Sequence, residues 1–279
     1  MPEFPEVYTI IEHLKDNVLN QTISHAEVRL NKLIKNKESS SFVKMMIGLS
    51  FRKITQKGKY LIFHLSNENF LVVHLRMEGK FFYYPSCNAY VENKHNHIRF
   101  YFENGSILVY NDTRQFGTFH LFTSNEFNQS PMLKKIAPDP FDSKFTPSYL
   151  KDQLKHKKGK IKNILLDQSI VSGLGNIYVD EVLFYSKIHP NSIASKLTDD
   201  DLKKIVKYSK EILNASILNK GTTIHSYMFN TTDTGGFQNF LKVHTKKDHD
   251  CPNCGYKIIK IKVNNRGTYL CPKCQKEII

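Results

Sequence analysis

The sequence predicts an α+β chain in three parts: an antiparallel β region opened by a helix, a helical stretch, and a small metal-binding hairpin. Three observations carry this prediction. Val7, Ile10, Ile11, Leu14 and Val18 recur at helical spacing near the start. Short runs rich in β-branched and aromatic residues fill the next hundred positions. Two CxxC pairs, Cys251/Cys254 and Cys271/Cys274, close the chain.

Residues 1 to about 20 read as one amphipathic helix. Pro5 suits its first turn, and Glu3 and Glu6 sit where the helix dipole favours acids. From about 22 to 122 the pattern is strand-like, with runs at Tyr60–Leu65, Phe70–Leu75, His97–Phe102 and Ile107–Tyr110. Turn clusters such as Ser66–Asn69 and Glu103–Ser106 separate them, a spacing that suits a β-sandwich or barrel. Pro131, Pro138, Pro140 and Pro147 mark a boundary. Helical spacing returns from Pro147 to about Asn219, and Thr222–Phe237 is polar and glycine-bearing, as a flexible loop would be. The expected domains are 1–130, 131–241 and 242–279.

Composition narrows the function. The 279 residues are 40% hydrophobic and 24% charged, ordinary globular values. No apolar run reaches the length of a membrane-spanning helix, and the N-terminus lacks a basic stretch followed by an apolar one. Lys and Arg number 40 against 26 acids, a formal charge of +14. Such an excess concentrates polyanions, most often nucleic acid, although a solvated lysine-rich surface would give the same count. With five cysteines, four of them in CxxC pairs, a metal site in a reducing compartment fits better than a disulfide framework.

The two CxxC knuckles lie 16 residues apart, and the residues between them alternate like two strands around a turn at Asn264–Gly267. Each knuckle aims two thiolates at one ion, so the expectation is one structural Zn²⁺ held by Cys251, Cys254, Cys271 and Cys274, with no open position for catalysis. Its role is to fold a segment too small for its own core. Arg266, at the hairpin tip, would project outward. Cys87 is left over.

Residue 2 is Pro. Removal of Met1 would leave a secondary amine at the terminus, able to attack an electrophilic sugar carbon and form a Schiff base. An α-amino group titrates well below lysine, so more of it is neutral at pH 7. Glu3 beside it would move protons. The plain alternative is that these residues merely start a helix.

Read together, the residues resemble the formamidopyrimidine-DNA glycosylase family, bacterial enzymes that excise oxidised purines from DNA. MPEFPEV resembles the family's MPELPEV, and Gly58–Leu61 its lysine hairpin. His74–Gly79 is similar to HLGMSG. Lys94–Phe100, Asn111–Gly117, Ser172–Tyr178, Ile188–Pro190, Gly221–Thr223 and the zinc hairpin also match in order. The resemblance runs essentially end to end.

The resemblance implies an N-terminal β-sandwich with flanking helices, a helical helix–two-turns–helix domain and a zinc-finger hairpin. It makes Pro2 the nucleophile at C1′ of the sugar, Glu3 the acid/base, Glu6 a supporting group and Lys59 a contact to the scissile nucleotide. The family acts on bases flipped out of the duplex. Met77, Arg114 and Phe116 match its inserted side chains, Met and Phe as apolar wedges and Arg toward the orphaned base. His95, Arg114, Asn176 and Arg266 would contact DNA, Asn176 at a helix start where backbone N–H groups meet phosphate. Lys162 and the run His156–Lys160 lie just upstream as further positive charge. The loop 224–237 resembles a lesion-capping lid.

Arg76 and Glu78 depart from the Gly and Ser of HLGMSG. Gln115 stands where a basic residue is common, and Tyr8 where Glu is common; His225 and Ser226 also differ. The expected partner is damaged double-stranded DNA, with no membrane, and the protein is expected to be a cytoplasmic monomer. The rival readings are an endonuclease VIII-type enzyme for oxidised pyrimidines and a zinc protein that binds damage without cutting. PEFPEV and the Asp112–Phe116 insert favour the purine enzyme; intact Pro2, Glu3 and Lys59 favour catalysis.

Overall fold

Glu3 holds an extended backbone (φ −99°, ψ −169°), and helix α1 (Phe4–Val18) starts immediately after it. The Glu6 carboxylate turns back to accept the Glu3 N–H at 3.0 Å, satisfying an amide that a helix start otherwise leaves bare. Pro5 lies in the first turn, where no intrahelical donor is needed. Val7, Ile10, Ile11, Leu14 and Val18 form the buried stripe, as the sequence spacing predicts. The computed structural model describes residues 1–222 and 235–279, and these form two units: Met1–Leu133, and Lys134–Thr222 with Gly236–Ile279.

In the first unit, α1 is followed by β1 (Ile23–Val28), α2 (Ser39–Met46), β2 (Phe51–Lys57), β3 (Tyr60–Leu65), β4 (Phe70–His74), β5 (Lys80–Tyr84), β6 (Asn96–Phe102), β7 (Ile107–Asn111) and β8 (Thr118–Phe122). The short helices α3 (Ser124–Gln129) and α4 (Pro131–Lys134) lead out of it. The strands form two 4-stranded sheets, β1-β6-β7-β5 and β2-β3-β4-β8, antiparallel throughout. The arrangement is a sandwich, not a closed barrel. Ile54, Leu61, Phe63 and Leu71 of one sheet share a core with Ile98, Phe100, Leu108 and Tyr110 of the other. Phe51 meets Phe100 edge-on at 5.9 Å, and Phe63 meets Phe81 in the same way at 5.9 Å. Contacts of this kind each add about 1 kcal/mol beyond the area buried.

The second unit contains α5 (Pro147–Leu154), α6 (Ile161–Leu165), α7 (Asn176–Ser186), α8 (Asp199–Leu218) and the hairpin strands β9 (Ile259–Val263) and β10 (Arg266–Leu270). Two turns join α6 to α7, and Gly173 (φ 87°) occupies the left-handed region there. A Thr198/Asp201 capping box starts α8.

The hairpin turn differs from the sequence expectation. Asn264 (φ 44°) and Asn265 (φ 62°) make a two-residue turn of the kind that matches strand twist. Arg266 therefore pairs with Val263, and Gly267 with Lys262, as the first residues of β10 rather than as turn residues. Among the described residues, no helix is long and apolar enough to cross a membrane.

Candidate functional site

Pro2, Glu3, Glu6 and Lys59 are all buried. Lys59 is only 4% exposed, far from a surface lysine. It sits in the two-residue turn between β2 and β3, where Lys57 pairs with Tyr60 and Gly58 adopts φ 56°. Gln56 ties this turn to the helix start: its Nε2 donates to the Phe4 carbonyl at 3.0 Å and to the Gly58 carbonyl at 2.8 Å. Local strand and helix geometry thus converge on the N-terminus. Burial lowers the pKa of the Met1 amine, which precedes Pro2; Glu3, Glu6 and Glu78 oppose that shift and the Lys59 charge adds to it. Glu78 is a member of this charge group that sequence reasoning did not assign there.

Two loops carry the expected wedge residues. Met77 is 38% exposed and Phe116 53%, so neither is a core residue. The Arg114 guanidinium lies 5.1 Å from the centre of the Phe116 ring. Buried Asp112 shapes the second loop: its carboxylate accepts the Arg114 N–H at 3.0 Å, the Gly117 N–H at 2.8 Å and the Tyr110 hydroxyl at 3.2 Å. Tyr110 also locks the loops together. A Cβ on Gly79 would lie 2.2 Å from its hydroxyl oxygen, and one on Gly117 1.8 Å, so both positions require glycine. The strand register places the loops side by side, because His74 at the end of β4 pairs with Thr118 at the start of β8. His74 is buried and its pKa falls to about 3, through burial first and then the Arg76 and Lys59 charges. Its Nδ1 accepts the Arg76 N–H at 2.9 Å. His95, half-buried, precedes β6.

In the second unit, Asn176 opens α7, and its Nδ2 donates to the Gly267 carbonyl at 3.0 Å. This bond brings Asn176 next to exposed Arg266. Lys162 is not the DNA-facing charge that its basic neighbourhood suggests. It is fully buried, donating to Asp180 Oδ1 at 2.7 Å, Thr268 Oγ1 at 2.7 Å and the Gly267 carbonyl at 3.2 Å. Asp180 Oδ2 meets His244 Nδ1 at 2.8 Å and accepts the Tyr269 N–H at 3.2 Å. Glu181 accepts the N–H groups of Lys242, Val243 and His244. The network staples α6, α7 and residues 242–244 to the hairpin. The expected lid at 224–237 lies outside the described residues as far as 234.

The cysteines pass a direct test for zinc. Cys251 and Cys274 Sγ are 3.8 Å apart, Cys254 and Cys271 Sγ 3.5 Å, and all four lie within 4.8 Å of one another. Sulfurs about 2.3 Å from a central ion in a tetrahedron stand about 3.8 Å apart. A backbone N–H from Tyr256 draws the Cys254 thiol down to about 7, whereas burial pushes the Cys271 and Cys274 thiols up, so the sulfur geometry carries the fit to a metal. The four cysteines fit one structural Zn²⁺.

Comparison with known proteins agrees along the whole chain. Residues 1–119 match the formamidopyrimidine-DNA glycosylase N-terminal domain, residues 136–228 the H2TH domain of the same enzymes, and residues 250–276 the zinc finger found in FPG and IleRS. A formamidopyrimidine-DNA glycosylase from Ureaplasma parvum is 51% identical over 275 residues, covering 99% of this chain and 100% of its own. The chain belongs to the formamidopyrimidine-DNA glycosylase family. The corresponding Mycoplasma genitalium protein is 46% identical, with 99% of this chain and 96% of that one covered. Among solved structures, wild-type Lactococcus lactis Fpg with DNA containing N7-benzyl-Fapy-dG superposes with a TM-score of 0.92 at 36% identity. MutM with DNA containing carbocyclic 8-oxo-G gives 0.91 at 36% identity. Each structure covers 99% of this chain and 100% of its own.

Two departures from the family pattern acquire a physical reading. Arg76 has φ 56° and Gln115 φ 58°, both left-handed. A glycine at position 76, as in HLGMSG, adopts that conformation freely, whereas Arg costs about 1 kcal/mol there.

Proposed function

We propose that this chain is a bifunctional DNA glycosylase and AP lyase of base excision repair, acting on oxidised purines, 8-oxoguanine and formamidopyrimidines, in double-stranded DNA. The observation that carries the reading is the burial of Pro2, Glu3, Glu6 and Lys59 as one group at the chain's start. The lesions in the DNA bound by the solved relatives supply the substrate class.

Removal of Met1 makes the Pro2 nitrogen the terminal amine. With the damaged base flipped out, that nitrogen attacks C1′ as the base leaves. Glu3 protonates the ring oxygen as the sugar opens, and a Schiff base links Pro2 to the open sugar. Loss of a C2′ proton then expels the 3′ phosphate, and a second elimination expels the 5′ phosphate. Lys59 stabilises negative charge at the scissile nucleotide. Met77 and Phe116 fill the vacated stack, and Arg114 faces the orphaned base. His95 supports the DNA contact, while Asn176 and Arg266 take phosphate oxygens. An amide nitrogen carries two hydrogens, so Asn176 keeps one for phosphate after bonding Gly267.

The zinc, when bound, supplies no chemistry; it fixes the fold of the hairpin that carries Arg266. The protein acts as a cytoplasmic monomer, in a compartment reducing enough to keep four thiolates available to the metal. The test is cleavage of matched duplexes. An 8-oxoguanine:cytosine duplex should be cut with sugar removal on both sides, well ahead of a thymine glycol duplex. Preference for thymine glycol would reassign the enzyme to oxidised pyrimidines.

A further inference from the structure

On the first unit, a cavity of about 340 Å³ opens beside the Arg114 loop and is lined by hydrogen-bond donors. Its floor is a cross-strand row on one face of the sheet: Lys80 of β5 pairs with Asn111 of β7, which pairs with Asn96 of β6. His95, Asn93, Thr113 and Tyr84 complete its polar lining, Phe82 and Val91 add an apolar side, and no carboxylate lines it.

The amide orientations follow from the hydrogen bonds. Asn96 Nδ2 donates to the Tyr90 hydroxyl at 3.2 Å and the Val91 carbonyl at 3.4 Å, which leaves Asn96 Oδ1 as an acceptor. Asn111 Nδ2 donates to that oxygen at 2.8 Å and retains a second N–H. Asn93 Oδ1 accepts the His95 N–H at 2.9 Å, which fixes the Asn93 amide in the same way. The Lys80 ammonium has no hydrogen-bond or ion-pair partner among the described residues. Burial lowers its pKa, and the carboxylate opposing that effect is Glu78, which does not line the cavity. A partly desolvated cation, fixed amides and a hydroxyl, with no acid facing them, favour a compact oxyanion.

We infer that this cavity is a phosphate-binding pocket in which Lys80 is the principal ligand, with Asn111, Thr113 and His95 around it. The inference rests on the DNA-repair reading for one source of phosphate, the duplex backbone beside the Arg114 wedge. Free phosphate is the other source, and the two are separable by experiment.

One arm measures binding of the zinc-loaded, Met1-processed protein to a duplex with a tetrahydrofuran abasic analogue over a salt series. Each phosphate contact contributes about 0.9 to the slope of log K against log salt. Lys80→Gln should reduce the slope by that amount, and Thr113→Val should weaken binding at every salt concentration. The other arm titrates inorganic phosphate without DNA and follows backbone amide resonances. Signals of residues 80, 111 and 113 should move in the wild type and stay fixed in Lys80→Gln. A changed slope identifies the duplex as the source; a phosphate response with an unchanged slope identifies the free anion. An unchanged slope and no phosphate response in the wild type overturn the pocket. If the wild type fails to bind duplex at all, the repair reading fails while the phosphate arm still decides the pocket.

Discussion

Replacing Lys162 with Met should cost the zinc-loaded protein about 3–5 kcal/mol. The side chains of Lys162 and Asp180 are both 0% exposed, and the ammonium makes three hydrogen bonds, to Asp180, Thr268 and Gly267. Removing one partner strands the other charge in a medium that solvates it poorly, and a buried pair broken in this way falls in that range. His244 and the Tyr269 N–H still hold the Asp180 carboxylate, so the lower half of the range is expected. Urea unfolding of the variant against the wild type measures the loss. The cycle with Asp180→Leu isolates the pair: Lys162→Met/Asp180→Leu should be less destabilised than the sum of the single variants by about 2 kcal/mol or more. A loss below about 1 kcal/mol for Lys162→Met would refute the staple. DNA affinity should fall as well, because Lys162 and Asn176 both donate to the carbonyl of Gly267, next to Arg266.

Three further outcomes follow from the same geometry. Arg76→Gly should raise stability by about 0.5–1 kcal/mol, since φ 56° costs glycine nothing; thermal unfolding reads it, and a lower midpoint contradicts it. The His74 pKa is about 3 in the fold and near 6.5 in the unfolded chain. The unfolded state therefore binds more protons between these values, so the His74 contribution is complete above pH 6.5 and is lost as pH falls toward 3. Its slope approaches about 1.4 kcal/mol per pH unit, and unfolding free energies of wild type and His74→Gln should diverge in that window. Stripping zinc with a chelator, or Cys254→Ser, should unfold the hairpin and abolish tight DNA binding, both restored to the stripped wild type by added Zn²⁺; retained affinity without metal would contradict the structural role.

The hairpin was legible because its chemistry is local: four cysteines at fixed spacing can reach one ion in few ways. The helix spacing from Val7 to Val18 was legible for the same reason. Strands β1, β2, β5 and β8 were harder to single out, since runs such as Lys80–Tyr84 are aromatic without clean alternation of buried and exposed residues. Arg266 fell in the strand because an Asn-Asn turn needs only two residues. The fate of Lys162 was invisible, as a lysine among lysines carries no sign of a buried aspartate 18 residues on. Met77 and Phe116 were singled out by the family resemblance and not by any local pattern, since an apolar side chain carries no mark of exposure in the sequence. The residues that hold them, Asp112 and Tyr110, act through contacts that no local pattern announces.

The most direct test of the account is to trap the enzyme on its substrate. Protein beginning at Pro2 is incubated with an 8-oxoguanine:cytosine duplex and sodium borohydride, digested, and the adduct located by mass spectrometry. The account predicts a reduced sugar linked to the nitrogen of Pro2, and none when Met1 is retained. Attachment to Lys59 or another lysine, or an unlinked and uncut duplex, would contradict it.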